Sequence, residues 1–194
     1  MEKLILASSS TRRINIMKWL GLDFEAISSD FDERSVPLCE PRAYVKKLAE
    51  NKAMSVAGNF PDRAVISADT VVVCSKMILN KPHDEEEARA MLRSLSGKTN
   101  QVVTGICVFD GKTERKIVKS VVTSVKFRVL VEQGIETYLK SGVLDKAGAW
   151  NIGDGGSVFI KRITGSYTNI LGIPVEEMLD MFDRLGIKYG YATF

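Results

Sequence analysis

Histidine and cysteine are scarce in this chain of 194 residues. The only histidine is His83, and the three cysteines lie far apart, with none of them in a CxxC pair. An odd number of scattered cysteines argues against a disulfide framework and against a zinc site. A Ser-His or Cys-His nucleophile system is nearly excluded, because it would have to use His83, which we expect at the surface beside Pro82 and Asp84. A reducing compartment, the cytoplasm, is therefore expected.

Long apolar runs and concentrated charge are also missing. The apolar run at residues 4–7 is too short for the core of a signal peptide. No stretch approaches the ~18 apolar residues of a membrane span. The net charge is +3 with both signs interspersed, so the concentrated basic face of a nucleic-acid-binding protein is absent. We expect no membrane and no nucleic-acid partner, but a local cationic pocket for a small polyanion remains compatible with this charge.

Hydrophobic patterning predicts an α/β fold. The length suits one domain of two lobes over residues 1–194, with no boundary assigned between the lobes. Helical spacing predicts helices, and β-branched or alternating runs predict strands that alternate with them early and form hairpins in the middle. Such an order indicates a mixed β-sheet flanked by helices. The predicted strands are 3–7, 65–74, 77–79, 101–109, 116–129 and 157–163, and the predicted helices are 11–20, 42–57, 84–97, 131–141 and 174–186.

The first candidate site is the run Ser-Ser-Ser-Thr-Arg-Arg at residues 8–13, between a predicted strand and a predicted helix. Free backbone N–H groups at a helix start favour anions. The Ser8 hydroxyl adds a hydrogen bond, and the guanidinium groups of Arg12 and Arg13 add forked donors suited to phosphate. The alternative is a serine N-cap followed by solvated arginines.

Two charged residues stand in apolar patterns. Asp69 lies inside the predicted strand 65–74, where a carboxylate is costly unless it is paired or bound to metal. It could hold Mg²⁺ or orient a water, or be a hydrogen-bonded buried carboxylate. Lys52 falls on the apolar stripe of its helix, four residues after Leu48. A lysine there either extends to solvent or meets an anion.

Three weaker candidates complete the set. Lys81 is held extended by Pro82, although alone it is an ordinary exposed lysine. Glu33 is either part of a solvated acidic loop or a second metal-binding carboxylate. The glycine-rich stretch at 148–156 could let backbone approach a base or ribose, or form a flexible connection. Several cations with carboxylates are the groups that phosphate transfer requires. The P-loop pattern GxxxxGK[ST] is absent, which argues against that class of ATPase.

At these residues the chain closely resembles the Maf family of nucleotide pyrophosphatases. Each motif is weak alone, but their common order and spacing are highly specific. The motifs are SSSTRR at 8–13, DE at 32–33, LAENKA at 48–53, ADTVV at 68–72, KP at 81–82, LSG at 95–97, TG at 104–105 and DKAGA at 145–149.

The resemblance implies an elongated fold with a cleft between two lobes, similar to the inosine triphosphatase-like fold, and a homodimer. It implies hydrolysis of a nucleoside triphosphate to the monophosphate and pyrophosphate with Mg²⁺, or Mn²⁺ as the alternative. The run at 145–149 is similar to the subgroup acting on dTTP and UTP. Asp69 would be the catalytic acid–base residue, and Glu33 would join it near the metal. The phosphates would be bound by Ser8, Arg12, Arg13, Lys52 and Lys81.

Three positions depart from the family pattern, and the third affects base selection. Thr11 replaces a proline, and Asn100 stands where a histidine is frequent. Gly153 replaces a glutamine that the resemblance assigns to base selection, so we expect Trp150, Asn151 or backbone groups to take over. Arg12, Thr70 and Gly153 complete the predicted specificity set. The main alternative function is a non-catalytic nucleotide-binding regulator of cell division. A second is an enzyme that releases inorganic phosphate.

Overall fold

A computed structural model of the chain describes residues 3–190. Its strands are β1 (Leu4–Leu6), β2 (Phe24–Ala26), β3 (Ala64–Cys74), β4 (Met77–Leu79), β5 (Thr99–Asp110), β6 (Arg115–Phe127) and β7 (Ile160–Thr164). Its α-helices are α1 (Thr11–Trp19), α2 (Pro41–Ala57), α3 (Glu85–Leu95), α4 (Glu132–Leu139), α5 (Tyr167–Leu171) and α6 (Val175–Leu185).

The seven strands form one mixed sheet in the order β2-β1-β3-β5-β6-β7, with β4 beside β3. Strand β1 pairs in parallel with both β2 and β3. The β3–β4 and β6–β7 pairs are antiparallel. The predicted α/β class, a mixed sheet flanked by helices, is confirmed. The described residues divide into two compact units, the first from 3–69, 104–121 and 172–190, and the second from 70–103 and 122–171.

The first unit is built on the parallel strands β1, β2 and the start of β3. Helix α2 covers this part of the sheet with small and β-branched side chains, which allow a close approach. Its apolar cluster contains buried residues from the sheet and from α2: Ile5, Ala7, Ala49, Ala53, Val56, Ala57, Val65 and Cys107. Burial raises the pKa of the Cys107 thiol to about 12, so this cysteine packs as an apolar residue and is not a nucleophile at neutral pH.

Helix α2 is fixed to the sheet at two points. The buried Ser67 hydroxyl donates a hydrogen bond to the Ala49 carbonyl of α2. At Gly105 of β5, an added Cβ atom would lie 2.1 Å from the carbonyl oxygen of Val45 in α2. Strand and helix backbones are therefore in direct contact, and only glycine leaves room for that contact.

The second unit contains β4, the helices α3, α4 and α5, and strand β7. Two ion pairs join α3 to α4, one of them between Arg89 Nε and Glu136 Oε1 at 2.5 Å and the other between Arg93 and Glu132. The arginines lie four residues apart, as do the glutamates. One face of α3 therefore meets one face of α4 over a full turn.

The predicted strand at 157–163 is wrong in its first half. Residues Gly156–Phe159 form a 3₁₀ turn, and β7 begins only at Ile160. Gly155 has a left-handed backbone with φ 82°, which turns the chain just before the apolar residues that suggested a strand. Strand β2 and helix α5 were not predicted, because each is only a few residues long. Within residues 3–190, no helix has the length and apolar character needed to span a bilayer.

Candidate active site

Three charged side chains converge in the first unit. The Lys52 ammonium lies 2.5 Å from Asp69 Oδ1 and 2.7 Å from Glu33 Oε1. Lys52 and Asp69 are each only 9% exposed, whereas the Glu33 side chain is half-exposed. Of the two alternatives for Lys52, the structure has the one in which the lysine meets anions. We call Asp69, Glu33 and Lys52 the carboxylate–lysine site.

The parallel strands explain why these residues meet. The register pairs Leu6 of β1 with Ile66 of β3 and with Ala26 of β2. Strands β1 and β2 therefore end at the same level of the sheet, where open α/β sheets bind ligands, while β3 continues past this level and carries Asp69. Ser8 follows β1 at this level. The segment after β2 leads to Glu33, the first residue of a 3₁₀ turn at Glu33–Ser35.

Arg13 connects Ser8 to the last segment of the first unit. Its Nη1 donates to Ser8 Oγ over 3.2 Å, and its Nε donates to the Gly172 carbonyl over 3.0 Å. The Ser8 hydroxyl also accepts a hydrogen bond from the Ser10 backbone N–H. Ser10 is the N-cap residue of α1, yet its side chain makes no capping hydrogen bond. The alternative of a serine side-chain cap at Ser10 therefore does not hold.

The electrostatics place Arg13 close to the carboxylate–lysine site. Burial lowers the pKa of the Arg13 guanidinium, the negative charge of Asp69 raises it, Arg12 lowers it, and Glu33 raises it. The group stays protonated at neutral pH because an arginine pKa starts so high. Arg13 therefore interacts electrostatically with Arg12 and with the carboxylates of Asp69 and Glu33. Lys52 contacts the same two carboxylates.

Tyr44 of α2 belongs to the same neighbourhood, although it is not among the residues predicted from sequence. It is 7% exposed. Burial, followed by the charges of Asp69 and Glu33, raises the pKa of its phenol. The sequence does not distinguish Tyr44 as a site residue, because a tyrosine on the apolar side of a helix is usually a residue of the hydrophobic core.

Asp69 and Glu33 are the residues of this site that could hold a divalent cation. Within residues 3–190, no three His, Cys, Asp or Glu side chains are grouped closely enough to hold a metal ion alone. Mg²⁺ is commonly held by one or two carboxylates together with substrate phosphates and water. Asp69 and Glu33 contact the same ammonium, so both can serve one cation. The donor set is therefore of the kind that Mg²⁺ uses in phosphate chemistry.

The other predicted residues lie in the second unit. Lys81 is exposed in the segment after β4, where the neighbouring Asn80 carbonyl accepts a hydrogen bond of 2.9 Å from the Gly148 N–H. Thr70 follows Asp69 in β3, and its side chain points to the opposite face of the strand. Gly153 is exposed, and its N–H donates to Asn151 Oδ1 over 3.2 Å.

The side-chain polar groups of Trp150 and Asn151 form hydrogen bonds within their own loop. The indole N–H of Trp150 donates to the Gly156 carbonyl over 2.9 Å. The amide of Asn151 donates to Asp154 Oδ2 over 2.5 Å. The backbone N–H of Asn151 donates to the Tyr138 hydroxyl over 2.9 Å. These side chains therefore fix the shape of the glycine-rich stretch.

Lys146 strengthens the same loop. It is buried, and its ammonium donates to the Gly142 carbonyl over 2.5 Å and to Asp145 Oδ1 over 2.8 Å. It also lies 3.4 Å from Asp154 Oδ2. Asp154 thereby links Lys146 to Asn151, and the segment is an ordered structure, not the flexible connection that was one of its two predicted alternatives.

The family model of the Maf-like proteins matches residues 3–185. The chain belongs to the Maf family. Three similar relatives are each named dTTP/UTP pyrophosphatase. The Syntrophomonas wolfei protein is 41% identical and aligns over 93% of this chain and 96% of its own. The Geobacter sulfurreducens protein is 39% identical over 96% and 99%, and the Clostridioides difficile protein is 41% identical over 96% and 98%.

Among solved structures, the Staphylococcus aureus Ham1 protein covers 65% of this Maf chain, and the match covers 72% of that protein. The TM-score is 0.46 and the identity is 17%. The α/β assignment rests on the strand order and not on this likeness.

Proposed function

We propose that this Maf protein hydrolyses nucleoside triphosphates to nucleoside monophosphates and pyrophosphate. The observation that carries the proposal is the carboxylate–lysine site, with Arg13 and Ser8 joined to each other at the same edge of the sheet. An acid buried in a strand, next to cationic side chains, provides both a base for water and compensation for phosphate charge. The names of the three relatives agree with this activity.

In the proposed reaction, Asp69 accepts a proton from a water molecule. The water oxygen forms a bond to the α-phosphorus, and the bond from the α-phosphorus to the bridging oxygen breaks. That oxygen leaves with the pyrophosphate. Ser8, Arg12, Arg13, Lys52 and Lys81 bind the phosphates and stabilise the charge that develops on them. Lys52 has to exchange a carboxylate contact for a phosphate contact when the triphosphate binds.

Asp69 and Glu33 are proposed to hold Mg²⁺, with Mn²⁺ as the alternative. When bound, the ion neutralises phosphate charge and lowers the pKa of a water bound to it. Asp69, held in β3, and the half-exposed Glu33 would supply the carboxylate oxygens that hold the ion. The protein's own part is to keep the two carboxylates close enough for a shared cation.

The function is tested by a product-resolved screen. The purified protein is incubated with dTTP, UTP, CTP, GTP, ATP and 7-methyl-GTP, with and without Mg²⁺, and the products are separated. We expect Mg²⁺-dependent monophosphate and pyrophosphate in equal amounts, with dTTP and UTP preferred. Nucleotide binding with no turnover would support the alternative, a non-catalytic regulator of cell division. Diphosphate with inorganic phosphate would show cleavage at the other anhydride.

Asn151→Ala tests how the base is selected in the absence of the family glutamine. The variant loses the bonds to Asp154 and to the Gly153 N–H, so the backbone at 151–153 loosens. We expect the ratio of kcat/KM between dTTP and CTP to change about fivefold to tenfold, the worth of one good hydrogen bond. Asn59→Ala, at an exposed position in the first unit, is the matched control. Unchanged selectivity would remove Asn151 from base recognition.

A homodimer in the cytoplasm is also proposed for this protein, on the resemblance and on the scattered cysteines. The exposed Cys39 suits a reducing compartment, because a free surface thiol is oxidised elsewhere. Light scattering of the purified chain, 21.5 kDa as a monomer, distinguishes a dimer from a monomer directly.

A further inference from the structure

Tyr44 lies on the same side of α2 as Lys52. The two residues are eight positions apart, which is slightly more than two helical turns, with Leu48 between them. All three are buried. The segment that carries Glu33 runs along this side, because Glu33 contacts Lys52 and the segment ends at Glu40, the N-cap residue of α2. The first turn of α2, with Tyr44, is therefore part of the wall around the carboxylate–lysine site.

The Tyr44 hydroxyl is a donor without an acceptor. Among residues 3–190, no hydrogen bond joins it to another group, although two carboxylates are close enough to affect its pKa. A tyrosine phenol carries its proton at neutral pH, so the hydroxyl can donate. Among residues 3–190, the fully buried side-chain atoms without a partner are Asn100 Oδ1 and Asn169 Oδ1. The Tyr44 hydroxyl is not one of them, so it can be reached from solvent and can find an acceptor in a bound ligand.

The surrounding charges decide which ligand atoms would meet this hydroxyl. Arg13 and Lys52 attract an anion to the site, and a triphosphate brings many acceptor oxygens and no donors. We propose that the Tyr44 hydroxyl donates a hydrogen bond to a phosphate oxygen of the bound nucleoside triphosphate. Tyr44 is then a further substrate-binding residue of the site. This inference rests on the proposed function, since it takes the triphosphate as the ligand.

The test replaces Tyr44 by phenylalanine, which keeps the ring and removes only the hydroxyl. Loss of one hydrogen bond to a charged acceptor raises KM for the preferred triphosphate by about tenfold or more, with kcat within about twofold. Inorganic tripolyphosphate, measured by calorimetry in the presence of Mg²⁺, should lose affinity by the same factor. Tyr167→Phe, at an exposed tyrosine of α5, is the matched control and should leave both quantities unchanged.

The outcomes separate this inference from the proposed function. If the wild-type protein releases no pyrophosphate from any triphosphate, the proposed function fails, and tripolyphosphate binding still decides whether Tyr44 meets phosphate. If the wild type is active and Tyr44→Phe equals it in KM and in tripolyphosphate affinity, the Tyr44 inference is overturned. It is also overturned if KM rises while tripolyphosphate affinity stays the same, because the hydroxyl then meets the nucleoside. A fall in kcat alone contradicts a binding role.

Discussion

Asp69→Asn is expected to lower kcat for pyrophosphate release by about 10²–10⁴, the usual contribution of a general base. The amide has almost the same shape as the carboxylate, so it can still accept a hydrogen bond from Lys52. Lys52 also keeps its contact of 2.7 Å with Glu33. We therefore expect a folded protein that binds the triphosphate but no longer removes a proton from water. Steady-state kinetics with pyrophosphate detection give the comparison.

The control for this experiment is Asp62→Asn, which removes one negative charge at an exposed position of the same unit. It should leave kcat and KM at wild-type values, so that a general effect of net charge is excluded. The far-ultraviolet spectrum and the free energy of unfolding of both variants show whether the fold is intact. Turnover near the wild-type level in correctly folded Asp69→Asn would reject the role of Asp69 as the base.

Burial of Asp69 was predictable from the sequence, whereas burial of Lys52 was one of two alternatives that the sequence left open. Asp69 interrupts an apolar strand and Lys52 interrupts an apolar helical stripe, and a charge in such a position needs a partner. The sequence alone does not show that they are partners of each other, because they are 17 residues apart on different elements. Their meeting depends on how closely α2 approaches β3, which the Ser67 bond to Ala49 and the side-chain-free Gly105 determine.

The glycine-rich stretch was much less predictable. From the sequence, Trp150 and Asn151 were expected to face a ligand. In the structure, the indole N–H of Trp150 and the side-chain amide of Asn151 form hydrogen bonds within the loop. These bonds depend on backbone positions that sequence patterns do not specify, among them Gly156, where an added Cβ atom would lie 2.3 Å from the Asn151 carbonyl oxygen. Tyr44 was missed for a related reason: its apolar ring fits the core, while only the structure relates its hydroxyl to the carboxylates.

Gly105→Ala is expected to disturb both stability and catalysis, although Gly105 is not itself a predicted site residue. The new Cβ atom would lie 2.1 Å from Val45 O, 2.3 Å from Val45 C and 2.8 Å from Lys46 N. Carbon atoms in contact normally stay about 3.5–4.0 Å apart, so β5 and α2 must separate by more than 1 Å. Overpacking of this kind costs about 1–3 kcal/mol of unfolding free energy, which denaturant titration measures.

The catalytic effect follows because α2 carries Lys52. A misplacement of about 1 Å can reduce the rate by about 10²-fold, so we expect a fall of that order in kcat/KM at temperatures where the variant remains folded. Gly58→Ala is the matched control: an added Cβ atom there has no neighbour within 4 Å, and the backbone is already helical at φ −58° and ψ −24°. It should be neutral or stabilising by up to about 1 kcal/mol. If Gly105→Ala matched Gly58→Ala in both stability and kcat/KM, contact between the β5 and α2 backbones could not be what holds Lys52 beside Asp69.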